Sequence, residues 1–160
     1  MIALACDHAG FYLMGAVKSY LDASGFMYKD FGTYSEESCD YPEMAASASR
    51  AVSSGECNTG ILICGTGIGM TIAANKIPGV RAALCTDHFT AEMARIHNNA
   101  NVLALGSRVT DEKLALGIVE LFLTTVFNDV SGRHSRRIKM LDALDDARRG
   151  GEAPIKDSNK

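Results

Sequence analysis

The sequence predicts an α/β protein, a three-layer α/β/α Rossmann-like fold on a five-stranded parallel sheet. Three observations carry that prediction. Short continuous apolar runs at 2–6 and 61–63 are the mark of strands buried on both faces. Segments of helical spacing alternate with such runs, which is the rhythm of strand–helix–strand units. Between one apolar run and the helix after it lies Cys64-Gly65-Thr66-Gly67-Ile68-Gly69, at the carboxyl end of a strand, where ligands bind in such sheets.

In chain order, the first strand covers 2–6 and delivers Asp7 and His8 to its end. A helix follows, because Leu13, Ala16, Val17, Tyr20, Leu21 and Ser24 recur at spacings of three and four, and Gly25 stands at the C-cap position. Residues 26–31 read as strand two. The polar stretch 32–39 is a turn, and Asp40 before Tyr41-Pro42 is an N-cap with proline in the first helical turn, opening a helix to about Ser53. Strand three is 60–64, and its helix stops before Pro78-Gly79. Strand four is 80–85, a helix from Asp87 or Thr90 reaches His97 and breaks at Asn98-Asn99, and strand five is 101–105. Two further helices cover 111–127 and 131–149, the second with Ile138, Leu141 and Leu144 inward. Residues 1–149 therefore form one domain, and the aperiodic 150–160 reads as a disordered tail.

Composition narrows the function classes. The 160 residues are 47% hydrophobic and 22% charged with net charge −3, which fits one ordinary domain and argues against bulk binding to nucleic acid or anionic membrane. No run approaches membrane-spanning length, and no export signal opens the chain. The five cysteines, 6, 39, 57, 64 and 85, show no Cys-x-x-Cys spacing, which reads as a reduced, cytoplasmic protein.

The glycine turn frees backbone N–H groups beside a helix N-terminus, an arrangement that favours a phosphate or an oxyanion. A thiol in that position is biased toward the thiolate, so Cys64 reads as a base or nucleophile, against the plain alternative of a small core residue. Named loop types do not fit. A dinucleotide fingerprint needs glycine at Met70, although Asp87 lies about twenty residues on, and a Walker loop needs a lysine that comes only at Lys76. A phosphatase loop needs arginine at Met70 too. No histidine or cysteine pair has metal-ligand spacing on one helix face, so no metal is expected. His88 reads as structural, while His8 at a strand end and His97 at a helix end are candidates for one crevice with Asp7, Cys64 and the turn. Arg133 and Arg137, at i and i+4, suit a phosphate held between two guanidinium groups, or else a solvated face.

Several motifs in order resemble the type B ribose-5-phosphate isomerases, a group that includes galactose-6-phosphate isomerase subunits. They are 6–11 (Cys-Asp-His-Ala-Gly-Phe), 32–35, 40–42 (Asp-Tyr-Pro), the turn at 63–69, 73–76, His97-Asn98, and Gly132-Arg133-His134 with Arg137. Asn99 departs from the usual aspartate and Ser131 from a second glycine. The resemblance implies interconversion of ribose 5-phosphate and ribulose 5-phosphate through an enediolate, with Cys64 moving the proton and His97 opening the ring. It assigns hydroxyl protons to Asp7 and Thr66, sugar contacts to Tyr41, Gly65, Gly67, Ile68, Gly69 and Asn98, and the phosphate to His8, Arg108, Arg133 and Arg137. It implies no cofactor, and a homodimer, or a dimer of such dimers, whose crevice takes residues from both subunits. The alternatives are a six-carbon sugar 6-phosphate such as allose or galactose 6-phosphate, a nucleotide-binding domain, and a catalytically silent sugar-phosphate sensor.

Overall fold

The computed structural model describes residues 1–148, and the tail expected at 150–160 lies outside them. The elements are β1 (Ile2–Cys6), a 3₁₀ turn (His8–Gly10), α1 (Phe11–Ala23), β2 (Tyr28–Asp30), α2 (Tyr41–Ser53), β3 (Thr59–Cys64) and α3 (Ile68–Ala74). After them come β4 (Ala82–Leu84), α4 (His88–Asn98), β5 (Val102–Gly106), α5 (Glu112–Thr124) and α6 (Arg133–Arg148). All strands are parallel, in the order β2-β1-β3-β5-β4. The fold is the expected Rossmann-like α/β/α sandwich.

Right-handed crossovers explain which helix covers which face. Moves from β1 out to β2 and from β4 back to β5 run one way along the sheet, so α1 and α4 lie together on one face, joined by α5. Moves from β2 to β3 and from β3 to β4 run the other way and put α2 and α3 on the opposite face. Alternate residues of β3 follow suit: Ile61 and Ile63 pack under α1 and α5, and Leu62 and Cys64 under α2 and α3. Each fully buried Ile, Leu or Phe contributes about 1.5–3 kcal/mol. The central strands β1, β3 and β5, buried except for Thr59 at the start of β3, thus form the rigid floor of whatever stands at their ends.

Both edge strands are shorter than predicted, because each has a ladder partner on one side only. The outer side of β4 is closed by Asn75, whose Nδ2 donates to the Ala82 carbonyl and whose Oδ1 accepts the Ala82 N–H, both at 2.9 Å. A side-chain amide thereby takes the place of a strand backbone. Met70 is fully buried in the α2/α3 layer. The residue that breaks two of the three anion-loop motifs is a core side chain.

Of the last two helices, α5 is the apolar helix expected and α6 differs from expectation. α5 is buried through Ala115, Ile118, Val119 and Phe122. α6 rests on α4 along one side, with Leu141 and Leu144 44% and 42% exposed rather than inward. A stripe of leucines on a charged 16-residue helix gives periodicity, but the sheet face is already filled by α1, α4 and α5.

Candidate active site

The neighbouring strands β1 and β3 send their following segments to opposite faces of the sheet, which opens a crevice at their carboxyl ends. From β1 come Asp7 and His8. Asp7 is buried, and its Oδ1 accepts the Gly10 N–H at 3.0 Å, capping the 3₁₀ turn. His8 accepts at Nδ1 from the backbone N–H of Cys39 at 3.3 Å, so a neutral His8 carries its proton on Nε2.

Cys64 ends β3 and is 4% exposed. Its Sγ accepts the Gly67 N–H at 3.1 Å, the geometry expected of sulfur under a turn of backbone donors. Gly67 has φ +76°, and a methyl there would lie 3.0 Å from the carbonyl carbon of Leu105, so only glycine folds the turn this tightly. The helix after the turn has only seven residues, which leaves the anion preference with the turn's own N–H groups more than with a long helix dipole. Over Gly69 lies the ring of Tyr41, 2.7 Å from where a Cβ would stand. Ile68 is 53% exposed at the rim.

The segment after β5 completes this end. Ser107 Oγ donates to the carbonyls of Ala9, at 2.7 Å, and Cys64, at 3.2 Å, and its N–H donates to Cys64 as well. It therefore ties the β1, β3 and β5 ends together. The Arg108 N–H donates to the Gly65 carbonyl, and the Arg108 side chain lies over Gly65. Sequence reading missed Ser107 and the Cys39 amide. The signal for Ser107 was Gly106-Ser107-Arg108 directly after an apolar strand; the amide contact, 31 residues from His8, left none.

His97 is not in this crevice, contrary to the sequence expectation. α4 starts at the carboxyl end of β4 and runs back antiparallel to the strands, so its C-terminus reaches the opposite edge of the sheet, beside the start of β5. Eleven residues at about 1.5 Å each separate the two ends by roughly 16 Å. There His97 and Asn98 share a pocket with Arg133, His134 and Arg137 of α6. The His97 and His134 rings stack at 4.6 Å with 16° between planes. Desolvation, then the neighbouring charges of His97 and Arg133, hold His134 below the usual histidine range. Among the described residues, neither Arg133 nor Arg137 has a carboxylate within 4.0 Å, so this pocket carries unneutralised positive charge.

Asn99 adopts φ 42° as the α4 cap, and its Oδ1 accepts from Arg95 at 3.1 Å. Its amide therefore serves the helix end. His88 lies against Gly117 of α5, as its structural reading requires. Among the described residues no group of three His, Cys, Asp or Glu could hold a metal ion, and no helix is long and apolar enough to cross a membrane.

The chain matches the family model described as Ribose/Galactose Isomerase over residues 2–141. It is 44% identical to ribose-5-phosphate isomerase B of Escherichia coli over 147 residues, covering 92% of this chain and 97% of that protein. Among solved structures, ribose-5-phosphate isomerase B of Clostridium thermocellum superposes with a TM-score of 0.89 at 45% identity, covering 92% of this chain and 98% of that one. The Thermotoga maritima ribose 5-phosphate isomerase gives 0.85 at 51% identity, covering 88% and 96%.

Proposed function

The chain belongs to the ribose/galactose isomerase family, and from that premise we propose that it interconverts ribose 5-phosphate and ribulose 5-phosphate through an enediolate. The observation that carries the mechanism is Cys64 Sγ beneath the Gly67 N–H, at the crevice between β1 and β3. A carbon acid needs a base within reach of its proton and donors for the oxyanion that forms, and this turn supplies both in one place. Cys64 takes the proton from C2 of the open-chain aldose and delivers it to C1, while a hydroxyl proton moves between O2 and O1 with the help of Asp7 and Thr66. No electron leaves the substrate, so the step balances without a cofactor. Tyr41, Gly65, Gly67, Ile68 and Gly69 line the sugar, and His8 and Arg108 hold the phosphate from this side.

Ring opening by His97, sugar binding by Asn98 and the phosphate grip of Arg133 and Arg137 fall to the second pocket. Because one chain carries the two groups at opposite edges of its sheet, we infer a homodimer in which each site joins the crevice of one subunit to the His97 pocket of the other. Binding energy on the phosphate then orients the reacting carbons. Five free thiols suit a reducing cytoplasmic setting.

A six-carbon sugar 6-phosphate is the second reading, favoured by the galactose branch of the family. The deciding experiment is a direct isomerase assay comparing ribose 5-phosphate, allose 6-phosphate and galactose 6-phosphate. The highest kcat/KM is expected on ribose 5-phosphate. A clear preference for a six-carbon substrate would shift the assignment, and tight binding without turnover of any of the three would make the protein a sensor.

A further inference from the structure

Arg81 stands just before β4, outside both groups of site residues. Its guanidinium lies against the C-terminal turn of α4. Nε donates to the carbonyls of Asn98, at 3.1 Å, and Asn99, at 3.3 Å, and Nη2 donates to Asn99 at 3.1 Å. Nη1 faces Asp142 of α6 at 3.5 Å. The side chain is 21% exposed, and the backbone N–H is fixed by Asn101 Oδ1 at 2.8 Å. The last carbonyls of a helix lack intrahelical partners and carry its negative end, so a guanidinium there both satisfies and neutralises them.

On the other side of the same turn, Arg95 donates to Asn99 Oδ1 and Ala100 O and reaches the Thr125 carbonyl at the end of α5. Two arginines thus bracket the turn. Arg95 ties it to α5, and Arg81 ties it to α6, whose second tether is the Gly79 N–H on Asp145 at 2.8 Å. Arg81 does not line the His97 pocket. It lines the adjacent groove, and the two cavities share Asn98 and Leu141 as their common wall.

We propose that Arg81 is a positioning residue for the isomerase reaction: by gripping the α4 terminus and α6 together, it keeps His97 and Asn98 facing the same pocket as Arg133 and Arg137. The inference rests on the isomerase reading above. Lysine replaces it only in part, because one ammonium cannot span two carbonyls and a carboxylate with the fixed fork of a guanidinium.

The test measures KM and kcat for ribose 5-phosphate, and the Kd for inorganic phosphate by calorimetry, in wild type, Arg81→Met and Arg81→Lys. Arg81→Met should raise KM and the phosphate Kd together by five- to twentyfold, with Arg81→Lys between it and wild type. A merely structural role would lower Tm and the active fraction while leaving KM and phosphate Kd unchanged, and that result overturns the proposal. If Arg81→Met does not fold, Arg81→Lys decides alone: at least a threefold rise supports the proposal, and an unchanged phosphate Kd overturns it. Wild-type protein that binds phosphate but isomerises no sugar phosphate overturns the isomerase reading, and the variants' phosphate Kd still judges Arg81.

Discussion

Cys64 is as buried as the neighbouring core cysteines, yet its surroundings differ in kind. Burial pushes the thiol of Cys6 up to about 12 and that of Cys85 to about 11, so both stay protonated at neutral pH. Cys64 has a backbone N–H aimed at its sulfur and a crevice above it. Replacing it with Ala should lower kcat by about 10²–10⁴, the usual loss of a positioned base, while sugar-phosphate binding measured by calorimetry stays close to wild type. Retention of most turnover would refute the assignment and make Asp7 the first candidate. Gly67→Ala probes the turn itself. A side chain at φ +76° against Leu105 should cost on the order of 1–3 kcal/mol, roughly 3–10 °C of Tm in a thermal melt, and activity should fall further than stability.

At the scale of elements, α6, which carries Arg133 and Arg137 of the proposed phosphate grip, is lightly attached. Its start is held by Asp129, which accepts the Ser135 N–H at 2.6 Å and the Ser131 hydroxyl at 3.2 Å. The Ser135 hydrogen bond comes first among the causes that hold this carboxyl down at about 2, below its ordinary 3.8. A depressed carboxylate stabilises the fold above its unfolded value and loses that contribution as pH falls through its folded value. Helicity followed by circular dichroism should therefore decline between about pH 4 and 2, and Asp129→Asn should flatten that part of the curve. Equal declines in both proteins would place the acid sensitivity elsewhere. On the same helix, Arg133→Ala or Arg137→Ala removes a charge-assisted bond worth about 1.5–3 kcal/mol. KM for the phosphorylated sugar should rise roughly ten- to hundredfold, and much less for the unphosphorylated one. An unchanged KM in both variants would return the run to a solvated helix face.

For the whole molecule, the separation of Cys64 from His97 gives the sharpest prediction. In the proposed dimer, Cys64→Ala and Arg137→Ala would damage different halves of a composite site. Mixed under conditions that exchange subunits, the two weak variants should form heterodimers in which one site is wholly wild type, recovering up to about a quarter of wild-type activity for random pairing at a two-fold interface. No recovery, despite heterodimers seen by native mass spectrometry, would mean that each chain builds its site alone. The exposed apolar side chains Ile68, Ile72, Leu141 and Leu144, on α3 and α6, are candidates for the contact between copies.

The strand–helix alternation was legible in the sequence because buried parallel strands and amphipathic helices write their periods locally. So was the turn at Cys64, where glycine spacing and one thiol stand within six residues. The sequence could not reveal that Met70 packs in the core, or that the Cys39 amide reaches His8. Both facts depend on which face of the sheet a crossover takes. His97 is a different case: the predicted parallel sheet already requires a crossover helix to run back against its strands, so the expectation of His97 beside Cys64 overlooks that α4 ends at the far edge. That one helix, turned against the strands, sets His97 apart from Cys64, which is why the proposed reading needs a second copy to complete each site.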